Sequence, residues 1–224
     1  MSKKANGFVI YENAWIVAIA TGFERASANV KTGEMIQVWI LNRNVHPVVA
    51  QQLGKDRVIC GDCPARPALG GNCYVETGKA PAAIYRAYRA GRYPRLASCE
   101  VFKGKRVRFG AYGDPGKLPL QLVREIAQAS DGWTGYTHQW RNPLCKGFAT
   151  LLMASVDSVE EQLQATRAGW RTFRVADKGS EWRLRDEISC PASKEAGMKT
   201  TCAKCRLCAG ASKGAAKSIV IQQH

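Results

Sequence analysis

Apolar residues fall in short runs along most of the chain, and the period of each run predicts its element. Residues 8–11, 14–20 and 35–41 are rich in β-branched and aromatic side chains and are separated by turn-forming residues, which predicts three strands. A short helix is expected at 47–53, a compact strand at 56–60 and a helix at 80–90 stopped by Gly91. Beyond residue 105 the pattern becomes regular. Strands are predicted at 106–112, 134–140, 151–156 and 171–175, helices at 118–129 and 159–168, and a final strand at 218–221. The stretch 209–217, rich in Ala, Gly, Ser and Lys, reads as a mobile loop. There is no internal repeat.

Strands that alternate with helices imply parallel strands joined by crossovers. The predicted fold class is α/β: a partial or small (β/α) barrel with an N-terminal β segment and a cysteine-rich C-terminal metal segment. The expected division is a β-rich segment at 1–55, a barrel-like catalytic domain at 56–188, and a metal-binding segment at 189–224 that closes the barrel.

Composition narrows the class. The chain has 224 residues, 46% of them hydrophobic, and six tryptophans, which suits one sizeable folded domain and excludes a mostly disordered one. No apolar run approaches the roughly 18–20 residues of a spanning helix, and the first residues carry no apolar stretch of secretion-signal length. The expectation is a soluble cytoplasmic protein, in the host cytoplasm if the source is viral. Charge adds a partner: 33 Lys and Arg against 18 Asp and Glu give +15. A folded domain this basic favours a polyanion such as nucleic acid, because neutralising phosphates releases counterions. An acidic protein partner, or no partner, is the alternative.

Seven of the nine cysteines fall into two groups, which in a reducing compartment points to metal rather than disulfides. Cys60 and Cys63 form a CxxC, and Cys73 follows after nine intervening residues rich in Pro and Gly. Three thiolates suit zinc completed by a distant His or Cys, or a [4Fe–4S] cluster with one iron open to a small molecule. A redox CxxC is a third option. The second group is Cys202, Cys205 and Cys208, with Cys190 upstream and His224 downstream. Four cysteines suffice for zinc or an auxiliary iron–sulfur cluster, and a Cys₃His site using His224 is the alternative. A structural staple is expected there. Cys99 and Cys145 stand apart.

Acidic residues at strand ends are the next candidates. Gly113 and Asp114 end the strand that begins at Arg106, and Asp157 ends the one over 151–156. Such carboxylates suit a cofactor amine, a nucleophile or a general base, although Asp is also a common helix cap. His138, among aromatics, is a candidate acid–base group or a completing ligand of the first site. The stretch 85–95 interleaves Arg86, Arg89, Arg92 and Arg95 with Tyr85, Tyr88 and Tyr93. Guanidinium groups suit phosphates and tyrosines suit unstacked bases, so Arg86, Arg89, Arg92, Arg95, Tyr85 and Tyr88 are the candidate nucleic-acid contacts.

The trio Cys60, Cys63 and Cys73, the last followed by Tyr74, resembles the opening of radical S-adenosylmethionine enzymes, although the usual spacing there is CxxxCxxC. The resemblance implies a [4Fe–4S] cluster and S-adenosylmethionine as cofactors, with Gly113, Asp114 and Tyr74 at the cofactor. It also implies an auxiliary metal site at Cys190, Cys202, Cys205 and Cys208. Over 56–224 the chain is similar to an uncharacterised family of bacteriophage proteins, through Cys63–Pro64, Cys73–Tyr74, Val107–Arg108 before Gly113–Asp114, Tyr136–Thr137 before Trp140, and the terminal CxxCxLC.

These readings converge on an enzyme that modifies a base in phage DNA by radical chemistry, a rearrangement or hypermodification of a flipped-out base or its appended group. Two alternatives stand beside it. One is a zinc-containing base-exchange enzyme resembling tRNA-guanine transglycosylases, with Asp114 and Asp157 as its acids. The other is a non-enzymatic zinc protein that binds nucleic acid.

Overall fold

A computed structural model describes residues 5–176, 183–213 and 217–222. Its strands are β1 (Gly7–Glu12), β2 (Ile16–Thr21), β3 (Ile36–Asn42), β4 (Val107–Tyr112), β5 (Trp133–Thr137), β6 (Met153–Val156), β7 (Thr172–Ala176), β8 (Glu187–Ser189) and β9 (Ser218–Gln222). Its helices are α1 (Pro47–Gln52), α2 (Arg57–Cys60), α3 (Ala80–Arg89), α4 (Leu120–Ala129), α5 (Val159–Arg167) and the single turn α6 (Cys202–Cys205).

All nine described strands join one sheet in the order β1-β2-β3-β4-β5-β6-β7-β9-β8. β1, β2 and β3 are antiparallel neighbours, and every later pairing is parallel. The α/β class therefore holds. The sheet is mostly parallel and not closed, since β1 and β8 stand at its two ends and each pairs with one strand only.

Burial explains the sequence patterns. Every residue of β2 is buried, which is why its run is apolar without alternation. The main core gathers β1–β4 with Val123, Ile126 and Ala165 of α4 and α5. A smaller core lies around Met153, Cys190, Ala192, Cys208 and Ile219, with Tyr136 and Phe173 packed on it. Ala154 joins the main core and Met153 the smaller one, as the two-residue period of a strand requires.

Two predicted elements differ. Residues 56–60 form a helical turn, not a strand: the N–H groups of Ile59 and Cys60 both donate to the Asp56 carbonyl, at 3.0 and 2.9 Å. A single turn suffices to bury Ile59, and Gly61 at φ +59° ends it. The strand over 134–140 stops at Thr137, because the chain then turns into a 3₁₀ segment at Gln139–Arg141. The expected loop at 209–217 begins with a 3₁₀ turn, Gly210–Lys213, and residues 214–216 lie outside the described residues. Among the described residues no helix is long and apolar enough to cross a membrane.

The far edge of the sheet is held by charge. Arg174 of β7 donates from Nε and Nη2 to the two oxygens of Glu187 on β8, at 2.8 and 2.7 Å, with both side chains buried. Removing one member leaves the other charged and buried, so Glu187→Ala is expected to cost about 3–5 kcal/mol. Urea unfolding checks this, and an unchanged midpoint would sink it.

Candidate metal centre

The first cysteine group is assembled by a loop that folds back on itself. Cys60 ends α2, and the Cys63 N–H donates to its carbonyl at 3.2 Å. Arg66 then turns inward, donating to Asp56 Oδ1 from Nε and Nη2 (3.1 and 2.7 Å), to the Gly61 carbonyl (3.2 Å) and to the Gly54 carbonyl (2.8 Å). Both members of this ion pair are buried. Gly71 completes the return: a Cβ there would fall 2.1 Å from the Pro64 carbonyl oxygen. Only glycine fits so close an approach, and it delivers Cys73 back toward Cys60 and Cys63.

The ends of the parallel strands meet this loop. β4 carries two extra residues relative to β3 between the pairs Gln37–Arg108 and Trp39–Tyr112, a bulge that includes Gly110 at φ +75°. Gly113, also left-handed, packs where a Cβ would sit 2.6 Å from the Ile40 carbonyl oxygen. The Asp114 N–H donates to the Ile59 carbonyl at 2.8 Å, which seats the end of β4 against the residue before Cys60. From beyond β5, Gln139 Nε2 donates to the Cys60 carbonyl at 3.1 Å.

Asp114 is buried and fully engaged. Its Oδ1 accepts from Gly116 N (2.8 Å) and Thr137 Oγ1 (2.6 Å), and its Oδ2 from His138 N (2.8 Å). It caps the turn Pro115–Lys117 and staples β4 to β5, so the capping and site roles share one carboxylate. Burial raises its pKa more than these hydrogen bonds lower it. Asp157 is not the cap of α5; Ser158 is, through a 3.1 Å bond from Glu161 N. Asp157 instead faces His138, with Oδ2 3.6 Å from Nε2.

His138 thus lies between Asp157 and Cys63. Burial works against its charge, yet Asp157 and the Cys63 sulfur outweigh it and push its pKa up to about 10. In the metal-free protein the charged imidazole adds stability that is complete below its unfolded value of about 6.5 and is lost as pH rises through about 10. The expected result is that urea stability falls over that window and that His138→Asn flattens the fall. Parallel pH profiles for the two proteins would refute it.

The three thiols share one electrostatic neighbourhood. Burial pushes the Cys60 thiol well above its ordinary range, and Cys63, Asp56, Asp114 and Cys73 push it further. Burial raises Cys73 too, with Cys63 and Asp56 adding to it. A group of sulfurs and carboxylates that penalise one another's ionisation is the donor set a bound cation relieves. Among the described residues, however, no three His, Cys, Asp or Glu side chains are set in position to hold one ion.

The second group sits elsewhere. Cys190, Cys202, Cys205 and Cys208 line a single cavity together with Thr134, Tyr136 and Ile219. Burial pushes Cys208 up to about 12, against a hydrogen bond from Tyr136 and with the other three thiols adding to the rise. The segment is anchored before β3, β5 and β7: Cys202 N donates to the Lys31 carbonyl, Arg206 Nη1 to that of Asp131, and Arg171 Nη1 to those of Leu207 and Gly210, each at 2.8 Å. It therefore gathers at strand starts, whereas the trio meets strand ends. His224 lies outside the described residues. Cys145 is a core thiol, with Sγ 3.7 Å from the Gly116 carbonyl oxygen, and Cys99 packs at the edge of the main core.

The basic stretch divides. Arg86, Arg89 and Arg92 are exposed. Arg95 pairs with Glu12, which also takes Arg43 at 2.8 Å and the Tyr88 hydroxyl at 2.6 Å. Tyr85 is buried edge-on against His46, so these two tyrosines are committed to packing and to Glu12 rather than offered as stacking platforms. Tyr74, beside Cys73, is 78% exposed. Sequence reasoning missed Asp56, Arg66, Thr137, Gln139 and Tyr112. Only their nearness in sequence to Cys60, Asp114 and His138 hinted at them. No protein-family profile, curated protein or solved structure matches the chain.

Proposed function

We propose that the chain is an iron–sulfur, S-adenosylmethionine-type radical enzyme acting on a base in phage DNA. One observation carries most of the weight: Cys60, Cys63 and Cys73 lie with Asp114, His138 and Asp157 where β4, β5 and β6 end. The C-terminal ends of parallel strands are where α/β folds place chemistry. Strands β3 to β7 follow one another in sheet order without the reversal of a doubly wound fold, which suits a partial barrel.

In this reading Cys60, Cys63 and Cys73 bind the cluster, and Asp56 with Arg66 holds their loop. Gly113, packed on Ile40, and Asp114, which ties the end of β4 to β5, fix the strand ends that would face the cofactor. His138 keeps a proton beside Cys63. A [4Fe–4S] cluster with S-adenosylmethionine supplies one-electron cleavage of the cofactor and hydrogen abstraction when bound. Arg86, Arg89 and Arg92 attract DNA phosphates. The second group, at the strand starts, is read as a structural zinc or auxiliary iron–sulfur site.

Anaerobic reconstitution and mass spectrometry of digested phage DNA, with and without the gene, test the proposal. A visible cluster band and a gene-dependent nucleoside support it; a colourless protein holding only zinc sinks it. A zinc protein is the second reading, favoured by the four cysteines around one cavity. Its base-exchange form needs two free acids, and of its candidates Asp114 has both oxygens engaged while Asp157 stays accessible beside His138. A zinc protein without catalysis would bind DNA and leave its nucleosides unchanged.

A further inference from the structure

Tyr112 ends β4 and is 4% exposed, yet its buried hydroxyl has no hydrogen-bond partner among the described residues. Buried hydroxyls are nearly always paired, and an unpaired one is costly enough to require an explanation. Its position supplies one. The bond from Asp114 N to the Ile59 carbonyl holds the end of β4 beside Cys60. Burial, with Cys60, Asp56 and Cys73 as its next strongest influences, keeps the phenol protonated. Arg66, also nearby, directs its donors to Asp56, Gly54 and Gly61. The phenol is a donor without an acceptor among the described residues, near enough to Cys60 and Cys73 to feel their charge.

We propose that Tyr112 is a positioning residue of the first cysteine site, its hydroxyl donating a hydrogen bond to a sulfur of the metal group held by Cys60 and Cys73. This rests on the trio being a metal site, whether iron–sulfur or zinc. A hydrogen bond to a ligand sulfur stabilises the ionised thiolate that binds metal, and by drawing charge off a cluster it favours the reduced state. Outer partners of this kind are typically worth about 10–100-fold in metal affinity.

Tyr112→Phe removes the oxygen and keeps the ring. The metal-free variant is expected to melt at the same temperature as the parent or higher, since no described residue pairs with the lost hydroxyl. Loaded with ferrous iron and sulfide, or with zinc alone, it is expected to hold metal about 10–100-fold more weakly in a chelator competition. The midpoint potential of a cluster should also move to more negative values. Unchanged affinity and potential would overturn the proposal, as would a lower melting temperature without metal, which would reveal a protein partner. Cys60→Ser separates the two levels. If it takes up metal as the parent does, the trio is not the site and both ideas fall. If it loses metal while Tyr112→Phe matches the parent, only the role of Tyr112 falls.

Discussion

Cys60→Ser, Cys63→Ser and Cys73→Ser are each expected to abolish iron loading at the first site, a loss on the order of 100-fold or more in retained metal. The reason is charge as well as ligand number. Cys60 is half-buried beside two other thiols and two carboxylates, and each of these opposes its ionisation. Arg66 is already committed to Asp56, so a metal cation is what would let the sulfurs ionise together. Removing any one sulfur removes both a bond and the relief of that repulsion. Iron content and the visible charge-transfer band after anaerobic reconstitution provide the measurement. Cys99→Ser and Cys145→Ser should retain the band, because neither thiol belongs to the trio. Cys202→Ser should lower the melting temperature more than the band. Normal loading in a triple Cys60, Cys63, Cys73 serine variant would move the metal to the second group.

Arg66→Ala should have the next largest effect, on stability and on the site together. Its guanidinium is buried with Asp56 and also ties down the carbonyls of Gly54 and Gly61. Deleting one partner of a buried pair costs about 3–5 kcal/mol, because the remaining charge stays buried without that partner. For a domain of this size that corresponds to a melting temperature lower by on the order of 10 °C. Since the same contacts hold the turn bearing Cys60 to the loop leading to Cys73, metal loading should fall as well. The double variant Asp56→Asn, Arg66→Met tests the division: it should recover much of the stability and little of the loading. Full recovery of both would show that the pair does not organise the trio.

Much of the chain was legible residue by residue. Strands β1 to β4, helices α3 to α5 and the final β9 lie within a few residues of where periodicity puts them, since each period reports how a single element meets its core. The helical turn at 57–60 was misread because Val58 and Ile59 favour strands, while tertiary contacts to Asp56 and Gly61 set their conformation. Tyr85 and Tyr88 sit on an arginine-rich helix that looks like a binding face, and only their contacts with His46 and Glu12 show that both are committed inward.

The two cysteine groups, the basic charge and the α/β class follow from the sequence alone, because spacing, composition and period are local properties. What the tertiary structure alone decided is how those local pieces converge. Strand order and register bring Asp114, His138 and Gln139 to a loop more than 50 residues earlier, and set the second group at the opposite ends of the strands. They also leave the sheet open and, among the described residues, the Tyr112 hydroxyl without a partner. Such convergence depends on long-range pairing between distant segments, and no periodicity within one segment encodes it.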